Sequence, residues 1–102
     1  MSITVGRYSF QGPYKDTDSL ADRSGVYVIH CSRGNAYYLI DVGESAEVKL
    51  RVDSHERKDC WSRNCRGTLT VSVLYTPNLR QAGRMKIERE LREQYNPPCG
   101  ER

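Results

Sequence analysis

Tyr27, Arg51 and His55 fall within one stretch in which two apolar strands run into a glycine and a helix follows. Arg51 and His55 are four residues apart, so a helix over residues 46–55 projects both from one face, in line with Glu47. Such an arrangement can hold a tyrosine, an arginine and a histidine around a phosphate. The arginine supplies a planar, permanently charged donor fork that matches phosphate oxygens. A tyrosine with an ordinary pKa near 10 is a poor base at neutral pH and needs a metal or a nearby cation to lower that value. The competing reading of Glu47, Arg51 and His55 is a surface salt-bridge ladder, worth roughly a few tenths of a kcal/mol per pair.

The elements that must position these groups follow from the pattern of apolar residues. Residues 25–31 (Gly-Val-Tyr-Val-Ile-His-Cys) read as the best strand, with Val26 and Val28 on one face and Tyr27, Ile29 and Cys31 on the other. Ser32, Arg33, Gly34 and Asn35 supply a turn, and residues 37–42 a second strand, giving an antiparallel hairpin. Gly43 ends that strand, and Ser45 is a good N-cap for the helix beginning at Ala46. Val48 and Val52 form its apolar side, as do Ala46 and Leu50. Residues 56–67 read as a charged loop holding the only tryptophan, Trp61, which either anchors the loop to the core or stacks on a base. Residues 68–75 alternate as a third strand. Residues 79–95 form the longest helix, with Ile87, Leu91 and Tyr95 on its buried side, and Asn96-Pro97-Pro98 stops it. Before the hairpin, residues 3–10 suggest an edge strand, and residues 15–23 a polar loop or one short helical turn.

Length, composition and charge bound the function. A chain of 102 residues makes a single domain with a small core. It divides into an N-terminal extension over residues 1–23 and a core over residues 24–98. The formal charge of +3, from 16 basic and 13 acidic residues, permits a nucleic-acid partner without requiring one. Arg51, Arg57, Lys58, Arg63 and Arg66 lie close together, interrupted by Asp53, Glu56 and Asp59. On charge alone that run reads as a solvated face of mixed sign. No apolar run approaches a membrane span, and the N-terminus lacks the features of a secretory signal. An intracellular, cytoplasmic protein is expected, with Cys31, Cys60, Cys65 and Cys99 as reduced thiols. The C-x4-C pair has no second knuckle. A zinc site from His55, Cys60, Cys65 and one distant cysteine is conceivable, against the simpler reading of unpaired small hydrophobes.

Several of these residues, in this order, resemble the GIY-YIG nuclease family. Gly25-Val26-Tyr27 matches the first signature triplet, and Val42-Gly43-Glu44-Ser45 the end of the second with the small hydroxyl residue after it. Arg51 follows Ser45 by six residues and His55 follows Arg51 by four, at the family's spacings. Glu88, nine residues before Pro97, and Leu91 match the family's E-x-x-L…P pattern. The resemblance covers residues 23–98. It implies an α/β (α+β) fold, a central antiparallel sheet of three or more strands flanked by helices, that cleaves nucleic-acid phosphodiesters, DNA foremost, with one divalent metal, Mg²⁺ or Mn²⁺. By position, Glu88 would hold the metal and Tyr27 would accept a proton from, or orient, the attacking water. Arg51 would stabilise charge on the scissile phosphate, and His55 would position the tyrosine or the phosphate. Arg57, Lys58, Arg63 and Arg66 become candidates for the nucleic-acid-binding face.

Three departures from the pattern frame the alternatives. The loop between the triplets is longer than usual, and Gly100 stands where the family has a late asparagine. Asp41 stands where the second triplet has its tyrosine. Strict alternation puts Tyr38 on the face opposite Asp41, and Tyr37 on the right face but roughly 13 Å away. Asp41 is then a tolerated substitution, the mark of a domain that binds nucleic acid without cutting it, or a second carboxylate beside Glu88 at the metal. The leading expectation is a metal-dependent endonuclease. Its rivals are a catalytically weakened or inactive nucleic-acid-binding module, and a protein-interaction domain whose tyrosine-rich strands form an interface.

Overall fold

Side-chain alternation along the strand bearing Tyr27 sorts the core into two layers. The computed structural model describes residues 1–100. In chain order its elements are β1 (Ser2–Val5), β2 (Tyr8–Tyr14), β3 (Gly25–Arg33), β4 (Ala36–Ser45), α1 (Val48–Asp53), α2 (Lys58–Arg63), β5 (Thr68–Tyr75) and α3 (Gln81–Tyr95). The strands form one sheet in the order β1-β2-β5-β3-β4, with every neighbouring pair antiparallel. The fold is therefore α+β, a five-stranded antiparallel sheet with three helices. On one face Tyr27, Ile29 and Cys31 pack with Val48 and Val52 of α1 and Trp61 of α2. On the other, Val26 and Val28 pack with Phe10, Val42 and Leu91 of α3.

Four expectations change. The expected edge strand over residues 3–10 is a hairpin, turned at Gly6, whose φ is +60°. Its second strand pairs with β5, so residues 2–14 are part of the sheet and bury Val5 and Phe10. The charged segment after His55 is partly helical: α2 forms because Trp61 has a core to enter, and it is buried there. The helix expected over residues 46–55 shortens to α1, with Glu47 at the N-cap and Leu50 exposed. Ser45 Oγ accepts the Glu47 amide at 2.9 Å, and the helix's own first amides are satisfied from afar. Val48 N–H reaches the Arg23 carbonyl at 3.0 Å and Leu50 N–H the Asp22 carboxylate at 3.1 Å. The cysteines, expected as free thiols, are paired as Cys31–Cys65 and Cys60–Cys99, with Cα separations of 5.4 and 5.9 Å. None is left as a thiolate ligand for zinc.

The β3–β4 register holds the fifth difference. Ile29 opposes Asp41 and His30 opposes Leu39, so Ile40 is an extra residue on β4. A bulge switches the face of every side chain beyond it. Tyr38 opposes Cys31 and so shares a face with Tyr27 and Asp41, whereas Tyr37 turns to the other side, its ring edge-on to His30 with centroids 5.9 Å apart. The assignments of Tyr37 and Tyr38 from strict alternation are thus reversed. The outer edge of β4 is not left open. The Cys99 amide donates to the Ile40 carbonyl at 3.1 Å, and the Arg92 guanidinium donates to the Val42 carbonyl.

Candidate active site

The side chain of Tyr27 leaves β3 and crosses directly over Gly43 of β4; a Cβ at position 43 would collide with the phenol ring. That close approach is the physical reason for glycine at position 43. The ring is 1% exposed. Its hydroxyl lies 2.7 Å from His55 Nε2. His55 sits just past the end of α1, and its Nδ1 accepts the Arg57 amide at 3.1 Å. The neutral ring therefore has its proton on Nε2 and donates it to Tyr27 Oη. The imidazole is held edge-on to Tyr27, with centroids 5.8 Å apart, and tilted against Trp61 at 4.7 Å.

Electrostatics keep this pair neutral. Burial, reinforced by Arg51 and Arg57, lowers the His55 pKa to about 4. Burial raises the Tyr27 pKa well above its ordinary value; Arg51 and Arg57 pull it down, while Asp41 and Glu88 push it up. His55 thus meets the Tyr27 phenol by hydrogen bond, and Arg51 of α1 and, more weakly, Glu88 of α3 act on it through their charges. Arg51 does not stand alone. Its guanidinium makes a two-pronged pair with Glu56, at 2.6 and 2.9 Å, and that pairing lowers the Glu56 pKa to about 2. The Glu56 carboxylate is also 3.8 Å from Arg57 and 3.7 Å from His55 Nδ1.

Asp41 has a different place from a metal carboxylate. It is 0% exposed, and both oxygens are engaged. Oδ2 accepts Arg57 Nε and the Trp61 indole N–H, each at 2.8 Å. Oδ1 accepts Arg92 Nη2 at 2.7 Å and the Val42 amide at 2.8 Å. The carboxylate proposed as a second metal ligand is instead the anion at the centre of two guanidiniums. Trp61 accordingly anchors α2 to the core and offers no face to a base. Gly100 has a related cause: a Cβ there would collide with the Arg92 guanidinium.

Of the expected binding residues, Arg57 belongs to the site through Asp41, and Lys58 Nζ is spent on the Asp53 carbonyl at 2.6 Å. Arg63 and Arg66 are exposed and line a separate hollow. Sequence reasoning did not single out Glu56 or Asp22. Nor did it single out Arg92, which also pairs with Glu88 at 3.1 Å. Arg84 of the same helix pairs with Glu44 of β4 at 2.9 Å.

Among the described residues no three His, Cys, Asp or Glu side chains cluster as metal ligands. Glu88 commits Oε2 to Arg92 and is partly exposed, leaving Oε1. Magnesium often takes only one or two carboxylates and fills its shell with water and phosphate. The donor chemistry therefore fits Mg²⁺ or Mn²⁺ on Glu88 alone and does not fit Asp41. No family model, no curated protein and no solved structure matches this chain.

Proposed function

We propose that the chain is a metal-dependent nuclease hydrolysing nucleic-acid phosphodiesters, in the manner the GIY-YIG resemblance implies. The observation that supports it most is the hydrogen bond between His55 and Tyr27 Oη, with the charge of Arg51 acting on the same phenol.

In this reading a substrate phosphate takes the position of the Glu56 carboxylate and receives the two parallel N–H bonds of Arg51. There the guanidinium stabilises charge developing on the phosphate oxygens. Tyr27 keeps its proton, and His55 keeps one on Nε2 pointing at Tyr27 Oη. The pair accordingly orients the attacking water and does not deprotonate it. An Mg²⁺ or Mn²⁺ on Glu88 would supply a more acidic bound water and further charge neutralisation. Asp41, Arg92 and Arg57 fix β4, α3 and the α1–α2 turn relative to one another, which sets the spacing of Tyr27, Arg51 and Glu88.

A second reading, a nucleic-acid-binding module without catalysis, is favoured by the near-complete burial of Tyr27 and by the Glu88–Arg92 pair. As to where the protein works, no helix among the described residues is long and apolar enough to cross a membrane. The two disulfides favour an oxidising compartment over the cytoplasm.

Labelled single-stranded, duplex and branched oligonucleotides incubated with Mg²⁺ or Mn²⁺, against an EDTA control, test the proposal. Metal-dependent cleavage that disappears in Glu88→Ala supports a nuclease. Salt-dependent binding with no cleavage in either metal gives the binding module instead. Neither binding nor cleavage at low salt overturns both.

A further inference from the structure

The bulge at Ile40 and the Cys31–Cys65 disulfide together build a second feature, away from Tyr27. The β3–β4 hairpin, the end of α2 and the α2–β5 loop border an open hollow of about 450 Å³. Arg33 and Tyr38 line it from the hairpin, Arg63 from the end of α2, Asn64 and Arg66 from the loop, and no acidic residue among the described residues takes part. The volume lies within the ~300–1,000 Å³ range of ligand sites.

Its chemistry is one-sided. Arg33, Arg63 and Arg66 are exposed, and none of the three guanidiniums has an ion pair or hydrogen bond among the described residues. By contrast Arg51, Arg57, Arg84 and Arg92 are all paired with carboxylates. Tyr38 is 55% exposed and stands among the free arginines because the bulge turned it to that face. The disulfide pins the loop carrying Arg63 and Arg66 against β3. Gly67 closes the approach: a Cβ there would collide with the Ser32 carbonyl. Tyr38 and Gly43 belong to the same strand, so the hollow lies roughly 15 Å along β4 from the phenol of Tyr27.

We propose that this hollow holds a single-stranded segment of the nucleic acid that the active site cuts, with an unstacked base on Tyr38 and its flanking phosphates on Arg33, Arg63 and Arg66. The inference rests on the nuclease reading and names its substrate class. Free guanidiniums match phosphate oxygens, and an exposed aromatic ring matches the face of a base. In a duplex those faces are hidden in the stack, so a lone tyrosine gains nothing from it, whereas unpaired strands, loops and ends present them.

The test is fluorescence anisotropy in EDTA at low salt, using a short labelled oligothymidylate and a labelled blunt-ended duplex without a loop. The proteins are wild type, Tyr38→Leu, the combined Arg33→Gln, Arg63→Gln and Arg66→Gln variant, and Arg51→Ala. The proposal expects tighter binding of oligothymidylate than of the duplex. It expects a loss of roughly tenfold for Tyr38→Leu on the single strand only. For the arginine variant it expects the slope of log K against log salt to flatten by about 2, since each single-strand phosphate contact contributes about 0.7. All the substituted side chains except Arg51 are exposed and have no ion pair or hydrogen bond among the described residues, so the variants are expected to keep the wild-type melting temperature. If the duplex binds as tightly, or if these variants bind oligothymidylate as wild type does while Arg51→Ala weakens it, the hollow is not the strand site although the nuclease reading stands. If wild type binds neither probe, this inference fails, and the nuclease reading fails with it only if cleavage in Mg²⁺ or Mn²⁺ is absent too.

Discussion

Asp41 occupies the position where a tyrosine would complete the second triplet, and its surroundings convert it from a candidate ligand into a structural anion. Removing one partner of a buried pair leaves the others uncompensated and typically costs about 3–5 kcal/mol. Asp41→Asn is therefore expected to destabilise the fold by roughly 3 kcal/mol or more in urea titrations, because Arg57 and Arg92 lose their shared carboxylate. Calorimetric Mg²⁺ affinity at a pH and temperature where the variant is folded is expected to stay at the wild-type value; a tenfold drop would restore Asp41 to the metal site. Glu56 behaves as a resident anion on Arg51, so Glu56→Gln is expected to tighten oligonucleotide binding severalfold in anisotropy titrations. Weaker binding would mean that the carboxylate merely holds Arg51 in place. Both histidines are buried, and burial lowers each pKa from 6.5 to about 4. A depressed folded-state pKa contributes stability above pH 6.5 that is lost as pH falls towards 4, where the unfolded chain binds protons that the folded chain refuses. Melting temperature should fall across that window, and less steeply in His30→Gln and His55→Gln; a flat profile in wild type would contradict the burial. At this scale the meeting of Tyr27 with His55 agrees with the arrangement that the strand, glycine and helix pattern suggests. The roles of Asp41 and Glu56 were not legible in the sequence, because each depends on which cation a side chain meets across the fold.

Elements were legible where their own residues decide them. Residues 68–75 alternate cleanly and form β5 with those bounds, and Asn96-Pro97-Pro98 ends α3 where expected, with Asn96 in the left-handed region. They were illegible where a distant partner decides. The amides at the start of α1 depend on Arg23 and Asp22, α2 depends on a pocket for Trp61, and β1 with β2 depends on the open edge of β5. The bulge at Ile40 has no glycine or proline to announce it. The disulfides belong to this scale too, since C-x4-C spacing says nothing of Cys31 or Cys99. Cys31–Cys65 ties β3 to the α2–β5 loop, and Cys60–Cys99 ties α2 to the segment after α3. Their sequence separations of 34 and 39 residues place each near 4 kcal/mol on the chain-entropy scale. Cys60→Ser with Cys99→Ser is accordingly expected to lower unfolding free energy by roughly 2–4 kcal/mol. Unchanged stability under reducing conditions would mean that these cysteines are not bonded in the native protein.

Over the whole molecule one sheet does two jobs. The face covered by α3 is an apolar core with His30 and Ser72 hydrogen-bonded within it at 2.7 Å. The face covered by α1 and α2 presents Tyr27 at one end of β4 and the arginine-lined hollow towards the other. Basic groups are thus sorted into paired ones that fix the scaffold and free ones that face solvent, a distinction that a formal charge of +3 conceals. The central claim is that Arg51 and Glu88, brought from separate helices, act on one phosphate. Single-turnover cleavage of a labelled oligonucleotide in Mg²⁺ by wild type, Arg51→Ala, Glu88→Ala and the double variant measures this directly. Groups acting as a unit are strongly non-additive. The account predicts a loss of about a hundredfold or more for each single variant, with little further loss in the double. Single variants that cleave at the wild-type rate, or losses that multiply fully in the double, would contradict it.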